Sequence, residues 1–383
     1  MSMASSDKVT IIGGGIGGLA MANALQHFGI PFDLYEQSPE LSEVGAGIGL
    51  TEATIRILDK MDLGNMLWRQ GSKVKEVYMP DKNLKVRRHI TVNSEMVCIH
   101  RARLIDILKS RLPKEVIHLN KKAISIETAK NENIITFEDG QSIESACTVA
   151  ADGIHSVLRR QVFPAIKLRY INQTIWRGIS EAPMPQNFGQ SYLEIWDEGL
   201  RFLVIHINDS EIFWLGVKSE KPGGEDNPET IREDLLKLFH NFHPELKELI
   251  RTSKNVLRND MADLGTVPRT WYKNRLVFLG DSIHATTPNL AQGGCQSIED
   301  AWCLAKCLKK FGPDYSTAYE TYQSLREKKV MKIVKDSWNF GKAAHTSNPF
   351  YHYGYRFLLT KAPKFILRKQ EAFLNDLSYL REI

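Results

Sequence analysis

No uninterrupted apolar stretch in this 383-residue chain reaches the roughly 20 residues needed to cross a bilayer, so a transmembrane helix is not expected. Cysteine is scarce: Cys98, Cys147, Cys295, Cys303 and Cys307 are an odd number without framework spacing, which excludes a disulfide-stapled scaffold and favours free thiols in a reducing compartment. Cys303 and Cys307 stand four apart on an expected helix, but no His or Asp cluster completes a four-ligand set, so no metal is expected. There is no long run of one charge. The 50 basic and 45 acidic residues are mixed along the chain, which argues against a nucleic-acid partner. A net charge of +5 fits an ordinary mixed surface, with at most a mild pull on anionic small molecules. Internal repeats and low-complexity tracts are missing too. The residues before the first expected strand, MSMASSDK, carry no basic leader with an apolar core, so secretion is not expected and a cytoplasmic location is.

What is present is the make-up of a globular enzyme. The apolar fraction is an ordinary 43%, and the length suits two lobes that share a cleft. Lys8 to Ile12 is a β-branched run, Ile16 to Phe28 has apolar residues at helical spacing, and Phe32 to Tyr35 is a second short strand. This is a βαβ start. Ala123 to Ile143 alternates and turns at Asp139-Gly140 like a hairpin, and Cys147 to Ala151 is a further strand. From about Gln173 to Val217 the pattern changes to long, alternating, aromatic-rich strands, which predicts an antiparallel sheet with one face covered. Ile231, Leu235, Leu238 and Phe239 mark an amphipathic helix. Leu276 to Leu279 reads as a parallel-type strand, a helix follows near Ile298 to Leu308, and the remainder is mostly helical with breaks at Pro349 and Pro363.

The first βα junction reads Gly13-Gly14-Gly15-Ile16-Gly17-Gly18. Glycines there let the backbone turn tightly and approach a pyrophosphate, whose charge meets the N–H groups of the helix start. Glu36 closes the second strand about 20 residues further on, where an acid can accept from ribose hydroxyls. Gly13, Gly15, Ile16, Gly17, Gly18 and Glu36 therefore point to a bound adenine dinucleotide. No second complete motif of this kind follows, so one domain serves one resident dinucleotide.

Two further segments carry a family resemblance. Ala151-Asp152-Gly153-Ile154-His155-Ser156-Val157-Leu158-Arg159 is similar to the D-G motif of the class A flavoprotein aromatic hydroxylases. Gly280-Asp281, Pro288 and Gln292-Gly293-Gly294-Cys295-Gln296 resemble that family's G-D motif and flavin-facing turn. The resemblance implies tightly bound FAD, held by Arg101 and Asp152 at its phosphates, by Asp281 at the ribityl chain, and by Pro288, Gly293, Gly294 and Cys295 beside the ring. Gly45 to Leu50, with Gly47, resembles the segment that passes the isoalloxazine. Ala291 and Cys295 depart from the commoner Gly and Asn. The wording is nearer to the branch of urate, salicylate and hydroxybenzoate hydroxylases and the xanthophyll epoxidases, which leaves the substrate class open.

The implied fold is α/β, or α+β overall: a Rossmann-like FAD-binding domain, a discontinuous antiparallel-sheet substrate domain and a C-terminal helical segment. The boundaries expected are 1–72, 98–170 and 270–310 for the first, 73–97 and 171–269 for the second, and 311–383 for the third. The implied function is a monooxygenase that takes hydride from NADPH or NADH, adds O2 to the flavin as a C4a-hydroperoxide and hydroxylates a small aromatic or heteroaromatic compound. Arg177 and Arg201, on sheet strands, are candidates to pair with a substrate carboxylate or enolate, and His206 is a candidate base. Trp176, Tyr192 and Trp214 are candidates to line the pocket. His284 is expected to be structural or adjacent to the ring. Alternatives are an epoxidase or a Baeyer–Villiger enzyme such as the tetracycline-inactivating relatives, a simple flavin reductase or oxidase, and a flavin-free carrier like the GDP-dissociation inhibitors. A monomer or homodimer is expected. Tyr355 to Leu380, apolar among Lys and Arg, is expected to pack on its own domain and not on a membrane.

Overall fold

The computed structural model describes residues 8–42, 46–208, 210–345, 354 and 361–383. Strand Val9–Ile12 is buried at all four positions, as a strand covered on both faces must be. It centres a six-stranded sheet whose order is 272–273, 276–278, 147–150, 9–12, 32–35, 117–118. Every pairing in it is parallel except the short 272–273 edge. Helix Ile16–Phe28 crosses over between the first two strands and stops at Gly29, whose left-handed φ of 67° closes its last turn. Helix Gly293–Phe311 packs against it and is buried along most of its length. The segment read as a hairpin is a three-stranded meander, 123–128, 133–137 and 142–145.

The second sheet has seven strands in the order 256–263, 169–180, 211–219, 200–208, 191–197, 76–80, 86–91. It is antiparallel apart from the 191–197/76–80 pair. Alternation sorts its side chains onto two faces. The outer face is dry: Trp176, Leu193, Ile195, Phe202, Val204, Ile212 and Trp214 pack under helices Ile231–Leu238 and Pro244–Arg251. Phe202 stacks on Trp214 at 5.5 Å between ring centroids. Trp176 and Trp214 therefore do not line a substrate pocket. Their indole N–H groups are satisfied in this outer layer, by Asp226 and by Ser253. Tyr192 alone of the three aromatics is on the inner face, beside Ala46, Val74, Cys98, Leu203, Ile205 and Phe213.

The 30-residue helix Tyr315–Ala344 braces the first lobe. Its Arg326, fully buried, donates to Asp300 and Glu299 at 2.7 Å each and to the Gln296 side chain at 2.7 Å. Further along, Ser337 donates to the Thr287 carbonyl at 2.6 Å and so anchors the turn that precedes Pro288. Pro363 caps helix Lys364–Leu374, as a break there predicts; Pro349 lies outside the described residues.

Candidate cofactor and substrate site

Two glycines of the turn leave no room for a side chain against backbone. Gly13 has φ +108°, and a Cβ on it would lie 2.4 Å from the Ala151 carbonyl oxygen; a Cβ on Gly18 would lie 1.8 Å from the Gly13 carbonyl oxygen. The first βα turn, the end of strand 147–150 and the start of helix 16–28 are thereby pressed together. Beside them opens a cavity of about 350 Å³ lined by Gly13, Gly15, Glu36, Lys121, Asp152 and His155, among others. Glu36 is fixed at this cavity: one carboxylate oxygen accepts from Gly14 N–H at 2.5 Å and the other from Ser38 N–H at 2.8 Å. Ile16 and Gly17 enter the first helical turn, Gly17 against Leu279 and Ser297.

Asp152 supplies the observation most telling for a missing group. Its Oδ2 accepts from Leu158 N–H at 3.3 Å, but its Oδ1 is buried with no hydrogen-bond partner among the described residues. Burial pushes its carboxyl above the usual range, and hydrogen bonds from Ser156 and Leu158 oppose the shift. A buried acceptor of this kind costs about 1–3 kcal/mol until a donor arrives, so the cradle fits a hydroxylated phosphate ligand. Arg159 of the same segment is buried and donates to the Ser282 and Ile154 carbonyls at 2.9 and 2.7 Å, tying the D-G segment to the G-D segment.

At the far end of the cleft, Asp281 starts a short helix after strand 276–278. Burial raises its carboxyl, while His284, Arg101 and Arg159 hold it down and Asp300 pushes it further up. Gly293 and Gly294 open the 19-residue helix 293–311, whose N-terminus is close to Asp281 and Thr286. Gly294 faces Ile48 of strand Gly47–Thr51, and Cys295 donates its thiol to the Gly49 carbonyl at 3.4 Å. A Cβ on Gly47 would strike Phe213 of the seven-stranded sheet at 2.5 Å, so the two lobes meet here. Gly45 lies outside the described residues. Pro288 begins the turn between the two helices. His284 is buried with Nε2 2.6 Å from Asp300, which places it in the Asp300–Arg326 cluster as a structural group.

The inner face of the sheet brings Arg177 and Arg201 toward this junction, while His206 meets the first lobe at Ser72. Arg177 is half-buried and donates to Asn259; burial lowers its pKa, and the neighbouring charge of Arg101 lowers it further. Arg101, from the other lobe, is itself offset by Asp281. Arg201 is 3% exposed and already has a carboxylate: its Nε donates to Glu194 at 2.8 Å and its Nη1 to Asn289 at 2.8 Å. Glu194 also accepts from Trp196 Nε1 at 2.7 Å and from the Tyr192 hydroxyl at 2.5 Å. His206 alternates to the face opposite Arg201, Leu203 and Ile205, and its Nδ1 lies 2.7 Å from Ser72 Oγ. Its face and its bond to Ser72 set it apart from Arg177 and Arg201. Glu194 and Asn289 were missed by the sequence reading. The signal for Glu194 was an acid at the same parity as Tyr192 and Trp196, flanked by Leu193 and Ile195.

Residues 6–337 match the FAD binding domain family. The chain is also 30% identical, over 89% of its length and 91% of the other, to the aurachin C monooxygenase/isomerase of Stigmatella aurantiaca. It belongs to the FAD-dependent flavoprotein monooxygenases. The enzyme is 29% identical to the 2-heptyl-3-hydroxy-4(1H)-quinolone synthase of Pseudomonas aeruginosa, over 89% of this chain and 91% of that one. Its fold superposes on Klebsiella pneumoniae HpxO complexed with FAD and uric acid at a TM-score of 0.89, with 22% identity and 97% coverage of both chains. Membership of this family sets aside the flavin-free carrier alternative, and the glycine cradle, Asp152 and the helix 293–311 start are a donor and acceptor set that fits FAD. Among the described residues no helix is long and apolar enough to cross a membrane.

Proposed function

We propose that the enzyme uses NAD(P)H and O2 to hydroxylate an N-heteroaromatic ring that carries an ionisable hydroxyl or oxo group. The observation that carries this reading is Arg177 on the inner face of the substrate sheet, its Nε buried and without a hydrogen-bond partner among the described residues. An enolate or carboxylate accepts from a guanidinium in two parallel hydrogen bonds, which a neutral hydrocarbon cannot do. Among the relatives, one is named for a quinolone and one was solved with uric acid, both nitrogen heterocycles with oxo groups.

FAD, when bound, supplies hydride acceptance and O2 activation. The residues proposed to hold it are Gly13, Gly15, Ile16, Gly17, Gly18, Glu36 and Asp152 at the adenine and pyrophosphate end, then Arg101, Asp281, Gly47, Pro288, Gly293, Gly294 and Cys295 toward the ring. The N-terminus of helix 293–311 favours negative charge on the group it faces by about 0.3–2 kcal/mol. Arg177 orients the substrate anion. The apolar inner wall of Ala46, Val74, Cys98, Leu203, Ile205 and Phe213 excludes water, which would divert oxygen into peroxide. Tyr192 lies in this wall, and its hydroxyl donates to Glu194. The domain division proposed is the one read from the sequence, with 73–97 and 171–269 forming the substrate sheet.

The test is anaerobic flavin reduction by NADH and by NADPH, with hydroxyquinolines, hydroxynicotinates, hydroxybenzoates and urate added one at a time. Acceleration by a heteroaromatic enolate, followed in air by a product carrying one oxygen atom from O2, bears the proposal out. Acceleration by neutral rings alone, or NAD(P)H oxidation that yields only peroxide with every ring, overturns it.

A further inference from the structure

Helix Lys364–Leu374 divides its sides between the protein and the outside. Leu367, Glu371 and Leu374, at i, i+4 and i+7, line a groove of about 440 Å³ against Ile90, Val92 and Met96. The only acid between 361 and 374 is Glu371, and it is turned inward, accepting from Ser94 N–H at 2.7 Å. The other side is uncovered. Phe365 is 67% exposed and Ile366 45%, the two most exposed large apolar side chains of the described residues, and they are adjacent. Lys361, Arg368 and Lys369 are exposed around them: Lys369, three positions on from Ile366 and four from Phe365, is on the same side, and Arg368 borders the groove as well. A core-facing helix has no use for this arrangement: it pairs unburied aromatic and aliphatic tips with cations and with no acid.

We propose that this face of helix 364–374 docks the enzyme reversibly on an anionic lipid surface. The occupant is set by charge complementarity: Phe365 and Ile366 enter the headgroup boundary while Arg368, Lys369 and Lys361 meet lipid phosphates. The groove behind the helix, with Arg88 and Arg368 among its lining residues, offers an apolar recess on the same element. The inference goes beyond the proposed reaction and does not depend on the identity of the substrate.

The experiment is sedimentation of the FAD-loaded full chain with vesicles of phosphatidylcholine alone and of phosphatidylcholine mixed equally with phosphatidylglycerol. Flavin absorbance serves as the control for folding. The expected result is co-sedimentation with the anionic vesicles only, lost in high salt. Reversing two charges, in Arg368→Glu with Lys369→Glu, should lower partitioning at least about tenfold, and Phe365→Ser with Ile366→Ser should lower it comparably, with flavin content unchanged in both. Equal binding to neutral vesicles, absence of binding to either, or loss of a concentration-dependent dimer in the Phe365/Ile366 variant without vesicles would each overturn it, the last by assigning the face to a second copy of the chain.

Discussion

Arg201 reaches Asn289 from across the lobe junction, Nη1 to Oδ1 at 2.8 Å, while its Nε holds Glu194 at 2.8 Å on its own sheet. The guanidinium fastens the substrate sheet to the turn that begins at Pro288, and it rests over the Phe340 ring at 5.0 Å. Such a pair is costly to break singly, because the surviving charge stays buried. Arg201→Ala should therefore lower unfolding stability by about 3–5 kcal/mol. A denaturant titration of Arg201→Ala, Glu194→Gln and the double variant measures it. The double variant should lose less than the sum of the singles. Strict additivity would mean that the two groups do not couple.

Gly18→Ala should yield protein with little or no flavin. The added methyl would lie 1.8 Å from the Gly13 carbonyl oxygen, backbone that cannot swing aside, so the turn must open and the cradle deform. The ratio of flavin to protein absorbance after purification is the readout. Gly140→Ala, at φ +84° in a turn with nothing near its added methyl, is the comparison: it carries backbone strain far from the cradle and should keep its flavin.

The FAD half of the site was legible because its chemistry is backbone chemistry. Close approach requires glycine at fixed spacing, and Gly13 to Gly18 and Gly293-Gly294 state it in the sequence itself. The substrate half was legible only as a sheet. Which face Trp176, Trp214 and His206 occupy is a matter of register, and a strand alternates identically whichever way it is turned. The helices over the outer face decide that, and their docking is not written in the strands. Glu194 was overlooked for a related reason: its three donors, Tyr192, Trp196 and Arg201, come from two strands and meet only once those strands pair.

Arg177→Gln and His206→Asn should separate the two faces. Losing a charged hydrogen-bond donor to a bound anion costs about 1.5–3 kcal/mol. For Arg177→Gln this predicts a rise of roughly ten- to a hundredfold in the half-saturating concentration of whichever ring accelerates flavin reduction, with flavin content unchanged. His206→Asn should leave both that concentration and the pH profile of turnover as they were, since His206 lies off the inner face and is bonded to Ser72. A flattened pH profile in His206→Asn would restore it as the base.

Asp300 should make the fold acid-labile in a defined window. Burial alone would raise its carboxyl, but His284 and Arg326 outweigh that and bring it from 3.8 to about 2. A carboxylate whose folded pKa lies below its unfolded value binds fewer protons folded than unfolded. Its stabilisation is complete above pH 3.8 and drains as the pH falls through about 2. The shift corresponds to about 2 kcal/mol. Asp300→Asn should remove that slope while also taking away the negative charge and one of the two oxygens that Arg326, His284 and Gly280 share, so the variant is the weaker protein at neutral pH. The two stability curves should close on each other between pH 4 and 2 in denaturant titrations. Parallel curves through that window would show that Asp300 titrates alike folded and unfolded.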